Sequence, residues 1–178
     1  MNPITKHFFE VAEALSLVDD QAIQRTIEIL KVVRAAQGTV WLAGNGGSAA
    51  TASHFANDLT KMGKVKALSV ADFTPTTLAY GNDNGWDKMF SDTLEAHIGP
   101  KDAVIGISCS GNSKNIITFL DMAKNRYKIG LTGPGSNTMS TMKPAPDVII
   151  RAMADEITVQ EDIHSIVCHA IARSLMNA

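Results

Sequence analysis

The first 36 residues carry apolar side chains at intervals of three and four positions, which predicts two amphipathic helices over residues 4–36. The residues that define them are Phe8, Phe9, Val11 and Leu15 in the first and Ile23, Ile27, Ile29, Leu30, Val32 and Val33 in the second. No strand pairing holds such a leading pair of helices in place. Their apolar faces are expected to cover either another subunit or the chain's own domain.

After these helices, apolar runs of strand length alternate with helical patterns. The predicted strands lie near residues 39–43, 66–70, 103–108, 127–131 and 147–151. The predicted helices cover 46–62, 86–97, 113–125 and 156–176, with a short one after Asp72 and Pro75 and another near 136–142. This order predicts a three-layer α/β fold, in which a doubly wound five-stranded parallel sheet lies between helices. Ligands of such a sheet bind at the carboxyl ends of its strands.

Length and charge narrow the class of protein. The 178 residues suit a single domain over 1–178, with a helical part at 1–37 and an α/β core at 38–178. The net charge is -2 and Lys and Arg form no run, so neither a nucleic acid nor a membrane is expected as a partner. A small molecule is the expected ligand.

The cysteines and the N-terminus indicate a cytoplasmic location. Cys109 and Cys168 have neither metal-knuckle spacing nor a disulfide framework, which favours free thiols in a reducing compartment. No apolar stretch approaches the roughly 20 residues needed to cross a bilayer. The first residues also lack the basic start and apolar middle of a signal peptide.

The turn after the third predicted strand is rich in Ser and Gly. Residues 103–115 read AVIGISCSGNSKN. Ser108, Ser110 and Ser113 supply hydroxyl donors. Gly111 allows a tight backbone, and the first amides and the dipole of the next helix attract an anion. These features predict a phosphate site; the alternative is that the serines only cap the helix.

A second turn of this kind follows the first predicted strand, where residues 44–48 read GNGGS. Both turns occupy carboxyl ends of strands, where an α/β sheet binds its ligand, and this pairing strengthens the phosphate interpretation. Cys109 lies inside the later turn, which makes its thiol a candidate for reactivity.

Two helices carry candidate catalytic groups, and the first is the helix after GNGGS. His54 and Asp58 are four residues apart, which places both side chains on one helix face. They form either half of a metal site or a solvated pair joined by a hydrogen bond.

The last predicted helix carries the run QEDIHSIVCH at residues 160–169. A lone histidine on such an apolar helix is usually a core residue. Glu161 and His169, however, lie roughly 80° apart around the helix axis, so they are expected to face one cavity. Gln160 points nearly opposite to His169, and His164 is expected to form its hydrogen bonds elsewhere.

Phosphate turns beside two histidines and two carboxylates predict proton transfer on a phosphorylated substrate. The chain has no Walker lysine motif for phosphoryl transfer, and GNGGS departs from the GxGxxG dinucleotide pattern. A metal held by histidine and carboxylate would polarise a carbonyl and its neighbouring hydroxyl, and a base would move a proton between adjacent carbons through an enediol. This reaction is aldose–ketose isomerisation.

On these motifs the chain resembles the sugar isomerase (SIS) domain family and, within it, the bacterial phosphoheptose isomerases. The resemblance covers nearly the whole length. It rests on the two leading helices, GNGGS, His54-Phe55-Ala56, Gly81-Asn82-Asp83, Ser108-Cys109-Ser110-Gly111-Asn112-Ser113, Leu131-Thr132-Gly133 and the final helix with its histidines.

The resemblance implies a fold, an assembly and a reaction. The implied fold is a flavodoxin-like sheet, and the implied assembly is a homotetramer with the leading helices in a central bundle and active sites between subunits. The implied enzyme is an intramolecular oxidoreductase that converts sedoheptulose 7-phosphate to D-glycero-D-manno-heptose 7-phosphate, with one zinc or other divalent ion per subunit. Its implied setting is the biosynthesis of ADP-heptose, for lipopolysaccharide or capsule precursors.

The family's functional positions fall on matching residues of this chain. By resemblance, the substrate-binding set is Asn45, Gly46, Gly47, Ser48, Asp83, Ser108, Cys109, Ser110 and Ser113. Within that set the serines hold the phosphate, and Asn45 and Asp83 lie near the sugar. The metal set is His54, Asp58, Glu161 and His169, of which Asp58, Glu161 and His169 are also the catalytic set.

Two of these residues depart from the family, which usually has Glu at the position of Asp58 and Gln at that of Glu161. The shorter side chain withdraws a carboxylate by about 1.5 Å, enough to disturb a base that must lie within roughly 3 Å of a carbon-bound proton. We hypothesise that Asp58 and His54 mainly hold the metal. Glu161 and His169 would then share the proton transfer. Cys109 also replaces a common Thr, which removes one hydroxyl donor.

Two other functions stay open at this point. One is an isomerase that acts on a different sugar phosphate. The other is a non-catalytic SIS protein that acts through protein binding, as the replication-initiator-associating relatives do. His54 and His169 beside carboxylates argue against the second, because a binding module has no need for ionisable groups that are costly to desolvate.

Overall fold

The computed structural model describes residues 1–176, and in that range the chain forms eight α-helices and five strands. The helices are α1 (Pro3–Ser16), α2 (Asp20–Ala35), α3 (Gly47–Lys61), α4 (Thr74–Asn84), α5 (Met89–Glu95), α6 (Lys114–Met122), α7 (Thr138–Thr141) and α8 (Ile157–Met176). The strands are β1 (Thr39–Gly44), β2 (Lys66–Ser69), β3 (Ala103–Ser108), β4 (Tyr127–Thr132) and β5 (Val148–Arg151). A 3-10 helix occupies Val70–Asp72. Across the described range, no helix combines the length and the apolar character that a membrane span requires.

The strands form one parallel sheet in the order β2-β1-β3-β4-β5. This order confirms the predicted doubly wound α/β fold, and its direction reverses between β1 and β3. Gly44, the last residue of β1, is paired with Ile107 of β3. The two glycine- and serine-rich turns therefore begin side by side, at the point of the sheet where such folds bind ligands.

Helices cover both faces of the sheet. Since successive strand residues point to opposite faces, each central strand contributes side chains to two cores. Val40 and Leu42 of β1 belong to a core shared with α2, α3 and α8. Trp41 and Ala43 belong to a second core shared with α5 and α6. Burial of one large apolar side chain stabilises the fold by about 1.5–3 kcal/mol. Packing on both faces of the sheet therefore stabilises the central strands β1 and β3 from both sides.

The two leading helices differ in how they pack. Helix α2 lies on the chain's own core, with a buried face formed by Ala22, Thr26, Ile27, Ile29, Leu30 and Val33. Helix α1 packs along α8 and buries Ala14. Its large apolar side chains are exposed at Ile4, Phe8, Phe9 and Leu15. The sequence did not decide whether these helices cover the chain's own domain or another subunit. Helix α2 covers the chain's own core, whereas α1 keeps an uncovered apolar face.

The predicted and observed helices differ most at their ends. The helix predicted over 113–125 ends at Met122, because Ala123 has a ψ of 38° and Asn125 has a φ of 64°. Asparagine adopts this left-handed conformation more readily than most residues do. The helix predicted over 86–97 begins at Met89, after a turn in which Gly85 has a φ of 94°.

Asp102 lies at the end of the sheet where β1 and β3 begin. Its carboxylate accepts hydrogen bonds from the backbone amides of Thr39 (2.8 Å) and Gly99 (2.7 Å) and from Trp41 Nε1 (2.9 Å). The residue is only 8% exposed. Three donors, two from β1 and one from the loop before β3, therefore depend on one buried acceptor.

Asp102→Ala is expected to lower the free energy of unfolding by about 3 kcal/mol, because buried donors that lose their acceptor keep their desolvation cost. Urea unfolding at one fixed protein concentration measures the change. Glu28→Ala is the control, because Glu28 is exposed on α2 and, among the described residues, pairs with Arg25 alone. A surface pair of that kind contributes about 0–1 kcal/mol, so equal losses in the two variants would contradict the role given to Asp102.

Candidate active site

The serine-rich turn begins at the end of β3 and leads into α6. Ser108 Oγ donates to Ser113 Oγ at 3.1 Å and lies 3.4 Å from Ser110 Oγ. Ser113 is the N-cap residue of α6, yet its side chain forms no capping hydrogen bond. The three hydroxyls thus converge on one another instead of capping the helix, which favours the anion site over the alternative of simple capping.

These hydroxyls line a cavity of about 200 Å³, which we call the serine cavity. Its walls are formed by Asn45, Ser48, Ile107, Ser108, Cys109, Ser110, Ser113, Ile157 and Glu161. No cationic side chain is among these described residues, so an anion here would be bound by hydroxyls and by the amides that open α3 and α6. Pockets for whole ligands usually measure about 300–1,000 Å³, so this volume suits a phosphate and the adjoining part of a sugar.

The loop after β4 supports the serine turn from behind. Gly111 has a φ of 63°, and a Cβ at this position would collide with the side-chain amide of Asn137. Asn112 Oδ1 accepts hydrogen bonds from the Thr138 amide (2.9 Å) and from Thr138 Oγ1 (2.8 Å). Asn137 and Thr138 could not be assigned to the site from the sequence, because no local pattern marks a contact between residues 26 positions apart.

The GNGGS turn brings α8 close to the start of α3. Gly46 is the N-cap residue of α3, with a φ of 52° and no side chain to cap the helix. A Cβ at Gly47 would lie 2.5–2.6 Å from the carboxylate atoms of Glu161. Glycine at position 47 therefore leaves room for a carboxylate at the positive end of the α3 dipole, and Glu161 enters the serine cavity from that side.

A second cluster of functional groups lies between α3 and α8. His54 Nε2 and His169 Nε2 are 3.0 Å apart. Asp58 Oδ2 lies 3.5 Å from His54 Nε2 and 3.7 Å from His169 Nε2. Asn57 Nδ2 donates to the other carboxylate oxygen, Asp58 Oδ1, at 3.3 Å. The packing of α8 along α3 thus adds His169 to the pair that the spacing of four predicted on α3.

These three side chains fit a divalent ion. Their ligand atoms lie within 4.8 Å of one another. A tetrahedral zinc with bonds of about 2.0–2.1 Å separates its ligand atoms by about 3.3 Å. Two imidazole nitrogens and one carboxylate oxygen also form the donor set of catalytic zinc sites, with a fourth position open, although the same donors suit other divalent ions.

Glu161 does not belong to this group among the described residues. It lines the serine cavity, whereas His169 borders a separate cavity of about 370 Å³ with His7 and Phe8 of α1. Helical phase predicted one shared cavity for Glu161 and His169, but eight residues also advance about 12 Å along a helix axis. Metal binding by Glu161 stays a prediction.

Asp83 is not grouped with either cluster among the described residues. It is exposed at the end of α4, where its Oδ1 accepts a hydrogen bond from Asn82 Nδ2 at 2.8 Å. It is not among the described residues that line the serine cavity. Contact between Asp83 and a sugar therefore also stays a prediction.

Cys109 is a half-buried free thiol in the serine cavity. Burial raises the pKa of this thiol, a hydrogen bond with Ser48 lowers it, and the charge of Glu161 raises it. The net effect is a raised pKa, which reduces the thiolate population that reactivity needs. The structure thus gives Cys109 a packing role at the cavity wall and argues against the reactive thiol considered from the sequence.

His164 is buried beneath the site, on the side of α8 that faces β4. Its Nε2 lies 3.1 Å from the carbonyl oxygen of Thr132, which confirms the expected hydrogen bond outside the cluster. Burial lowers the pKa of His164 from 6.5 to about 4, although the bond to Thr132 opposes this shift. Nδ1 has no hydrogen-bond partner among the described residues. Protonation of that nitrogen would therefore bury an unpaired charge.

The free energy of unfolding is expected to decrease as the pH is lowered from about 6.5 to about 4, because of His164. The unfolded chain binds this proton more readily than the folded chain, so the contribution is complete above pH 6.5 and lost as the pH falls to about 4. The loss is about 3 kcal/mol at most.

Denaturant unfolding at several pH values tests this loss of stability. His164→Gln should flatten the slope, and the exposed His97→Asn should leave it unchanged; equal slopes in all three proteins would contradict the assignment.

The comparisons with known proteins agree with this geometry. A SIS domain family model matches residues 6–133. The phosphoheptose isomerase of Helicobacter pylori strain P12 is 32% identical over 176 residues, covering 94% of this chain and 91% of that protein. The phosphoheptose isomerase of Bordetella avium strain 197N is 32% identical over 179 residues, covering 94% and 90%.

Solved structures give the same result. Phosphoheptose isomerase GmhA from Neisseria gonorrhoeae matches with a TM-score of 0.91 at 27% identity, covering 98% of this chain and 97% of that chain. A phosphoheptose isomerase from Francisella tularensis has the same fold, with a TM-score of 0.90 at 22% identity and coverage of 98% and 97%. The chain therefore belongs to the SIS domain family and, within it, to the phosphoheptose isomerases.

Proposed function

We propose that this chain is an aldose–ketose isomerase that converts sedoheptulose 7-phosphate to D-glycero-D-manno-heptose 7-phosphate. The observation that carries the proposal is that the serine cavity and the His54–Asp58–His169 group lie along the same two helices, α3 and α8. The curated relatives are named phosphoheptose isomerases, which supports a phosphorylated seven-carbon sugar as the substrate.

The separation of the two clusters along these helices suits such a substrate. Ser48 and His54 lie about 9 Å apart along the axis of α3, and Glu161 and His169 lie about 12 Å apart along α8. In an extended heptulose phosphate, the phosphorus lies about 9 Å from C2 if each bond advances about 1.3 Å. A phosphate in the serine cavity would thus bring C1 and C2 towards the histidines.

Phosphate binding is assigned to the hydroxyls of Ser48, Ser108, Ser110 and Ser113, with the amides that begin at Gly46 and Gly47. A hydroxyl-rich site at two helix N-termini, with Ser48 and Ser108 buried, can stabilise an anion without a cationic side chain. Asn45 is assigned to the sugar because it lines the same cavity.

Metal binding is assigned to His54, Asp58 and His169, with one zinc or other divalent ion per subunit. When bound, the ion would polarise the substrate carbonyl and the neighbouring hydroxyl. Asn57 would hold the second oxygen of Asp58, so that Oδ2 stays directed at the two imidazoles. His169 was predicted both as a metal ligand and as a partner of Glu161 in proton transfer; the proposal keeps the ligand role, because its Nε2 lies 3.0 Å from that of His54.

Proton transfer is assigned to Glu161, the one carboxylate of the four candidate residues that lies outside the metal group. For this role the Glu161 side chain would turn from its position beside Gly47 towards the histidines, where C1 and C2 would lie. Its carboxylate would then take a proton from C1 while O2 gains one, which gives an enediol. Return of the first proton to C2, with loss of the O1 proton, leaves the aldehyde. The proton that O1 loses balances the one that O2 gains, so the reaction needs no external acid or oxidant.

Assembly is proposed to be a homotetramer with active sites at subunit interfaces. The exposed apolar face of α1 supports this proposal, because Phe8 on that helix borders the same cavity as His169. A second subunit that covers this face would also exclude water beside the metal group. The single-domain organisation, the cytoplasmic location and the role in lipopolysaccharide or capsule precursors belong to the same proposal.

One experiment tests the reaction directly. The purified chain is analysed for bound metal by emission spectroscopy and is then incubated with sedoheptulose 7-phosphate, with detection of an aldoheptose phosphate by mass spectrometry and NMR. Metal with turnover is the expected result. Metal without turnover would favour a different sugar phosphate, and the lack of both would favour a protein-binding SIS domain.

A further inference from the structure

Asn115 is a fully buried amide in the first turn of α6, and the proposed chemistry gives it no role. Its Oδ1 accepts a hydrogen bond from Asn45 Nδ2 at 2.9 Å, and its Nδ2 donates to Asn45 Oδ1 at 2.8 Å. The two side chains therefore form a closed pair with two hydrogen bonds. This pair connects the turn after β1 with the helix after β3.

A third contact sets the direction of the pair. Two facing amides can exchange their nitrogen and oxygen positions together and keep both hydrogen bonds. Asn115 Nδ2, however, also faces Met89 Sδ at 3.8 Å, and the thioether sulfur is a weak acceptor with no hydrogen to donate. Met89 thus favours nitrogen at this position of Asn115, and Asn115 in turn fixes which atom of Asn45 is nitrogen.

The orientation of Asn45 matters because Asn45 lines the serine cavity. A side-chain amide carries two N–H donors, and the pair with Asn115 uses one of those of Asn45. The second N–H of Asn45 has no protein acceptor among the described residues and is available at the cavity wall. A sugar phosphate offers only oxygen atoms to such a donor, either as hydroxyls, as a carbonyl or on the phosphate.

We propose that Asn115, directed by Met89, is a positioning residue that presents the free N–H of Asn45 to an oxygen of the bound sugar. The proposal rests on the proposed function, since it requires a sugar phosphate in the serine cavity. An amide that only filled space in the apolar core beside α5 and α6 would be replaceable by leucine without loss of binding.

A double-mutant cycle tests this coupling. Asn45→Ala, Asn115→Leu and the double variant are compared by isothermal calorimetry for sedoheptulose 7-phosphate and for inorganic phosphate. Each single change is expected to weaken binding of the sugar phosphate about tenfold, and the double variant no more than about tenfold, because Asn115 acts only through Asn45. Binding of inorganic phosphate should change by less than about twofold, because the serines hold it.

Thr26→Val is the control for loss of a buried hydrogen bond, since Thr26 lies in α2 and its hydroxyl donates to the Ala22 carbonyl. It should leave both affinities unchanged. Losses that multiply in the double variant, or an equal loss for inorganic phosphate, would overturn the proposal and indicate a purely structural role. If Asn115→Leu fails to fold, Met89→Leu keeps the volume and removes the sulfur acceptor; a two- to threefold loss for the sugar phosphate alone is then expected, and no loss overturns the proposal.

The same measurements separate this inference from the proposed reaction. Wild-type protein that binds sedoheptulose 7-phosphate without turning it over would refute the reaction and leave the coupling to be decided by the cycle. Wild-type protein that binds inorganic phosphate but not the sugar phosphate would refute both.

Discussion

Asp58→Asn is expected to remove the bound metal and to lower turnover by about 10³-fold. The substitution replaces a charged ligand atom, 3.5 Å from His54 Nε2 and 3.7 Å from His169 Nε2, with a neutral amide of the same shape. An amide is a poorer ligand for zinc than a carboxylate and leaves the ion's charge uncompensated. Emission spectroscopy of the purified variant and the rate of aldoheptose phosphate formation measure the two effects.

Glu161→Gln belongs to the same prediction, because it should affect proton transfer without affecting metal binding. The variant is expected to keep its metal and to lose turnover by about 10²- to 10³-fold, since an amide cannot accept a carbon-bound proton. Glu28→Gln is the matched control: Glu28 is an exposed glutamate on α2 that pairs with Arg25 at 3.5 Å, and it is neither among the residues that line the serine cavity nor in the metal group. It should retain activity within about twofold. Near-full turnover of Glu161→Gln would assign the proton transfer to Asp58 instead.

Gly111→Ala is expected to weaken binding of both sugar phosphate and inorganic phosphate by at least about tenfold. The added methyl group would collide with the Asn137 amide, which is itself held by a hydrogen bond to Thr132 Oγ1 at 3.0 Å. The serine turn must then move away from the loop after β4, and its hydroxyls no longer converge. Calorimetric titration with inorganic phosphate measures this loss without any dependence on turnover.

Gly135→Ala is the control that separates the collision from backbone strain. Both glycines have positive φ, 63° at Gly111 and 76° at Gly135, so alanine pays about 1–2 kcal/mol of left-handed strain at either site. A Cβ at Gly135, however, meets nothing within 4 Å. Phosphate affinity should stay within about twofold in Gly135→Ala, and an equal loss in both variants would mean that strain alone weakens the site.

Local patterns in the sequence account for most of the fold. Continuous apolar runs such as residues 103–108 predicted buried parallel strands, and the five strands appear in one parallel sheet. Helix ends were less predictable, because the conformation of single residues such as Ala123 and Asn125 decides where α6 stops. Hydrophobic periodicity averages over several turns and does not record such positions.

The candidate site was predictable where its residues are close in the chain. The serines of residues 108–113 form one turn, and His54 and Asp58 share one helix face because of their spacing. The addition of His169 to that pair needed the packing of α8 on α3. Helical phase gave the direction of Glu161 and His169 but not their axial separation, so the two residues line different cavities.

The sequence by itself thus determined the α/β class, the two glycine- and serine-rich turns and the residue types available for isomerase chemistry. These features depend on backbone periodicity, turn residues and side-chain groups, which neighbouring residues define. Only the tertiary structure decided that Asn137 lies behind Gly111, that Asn115 pairs with Asn45, and that α1 rather than α2 keeps an exposed apolar face. Such contacts depend on how elements far apart in the chain pack against each other, and no local pattern in the sequence encodes that packing.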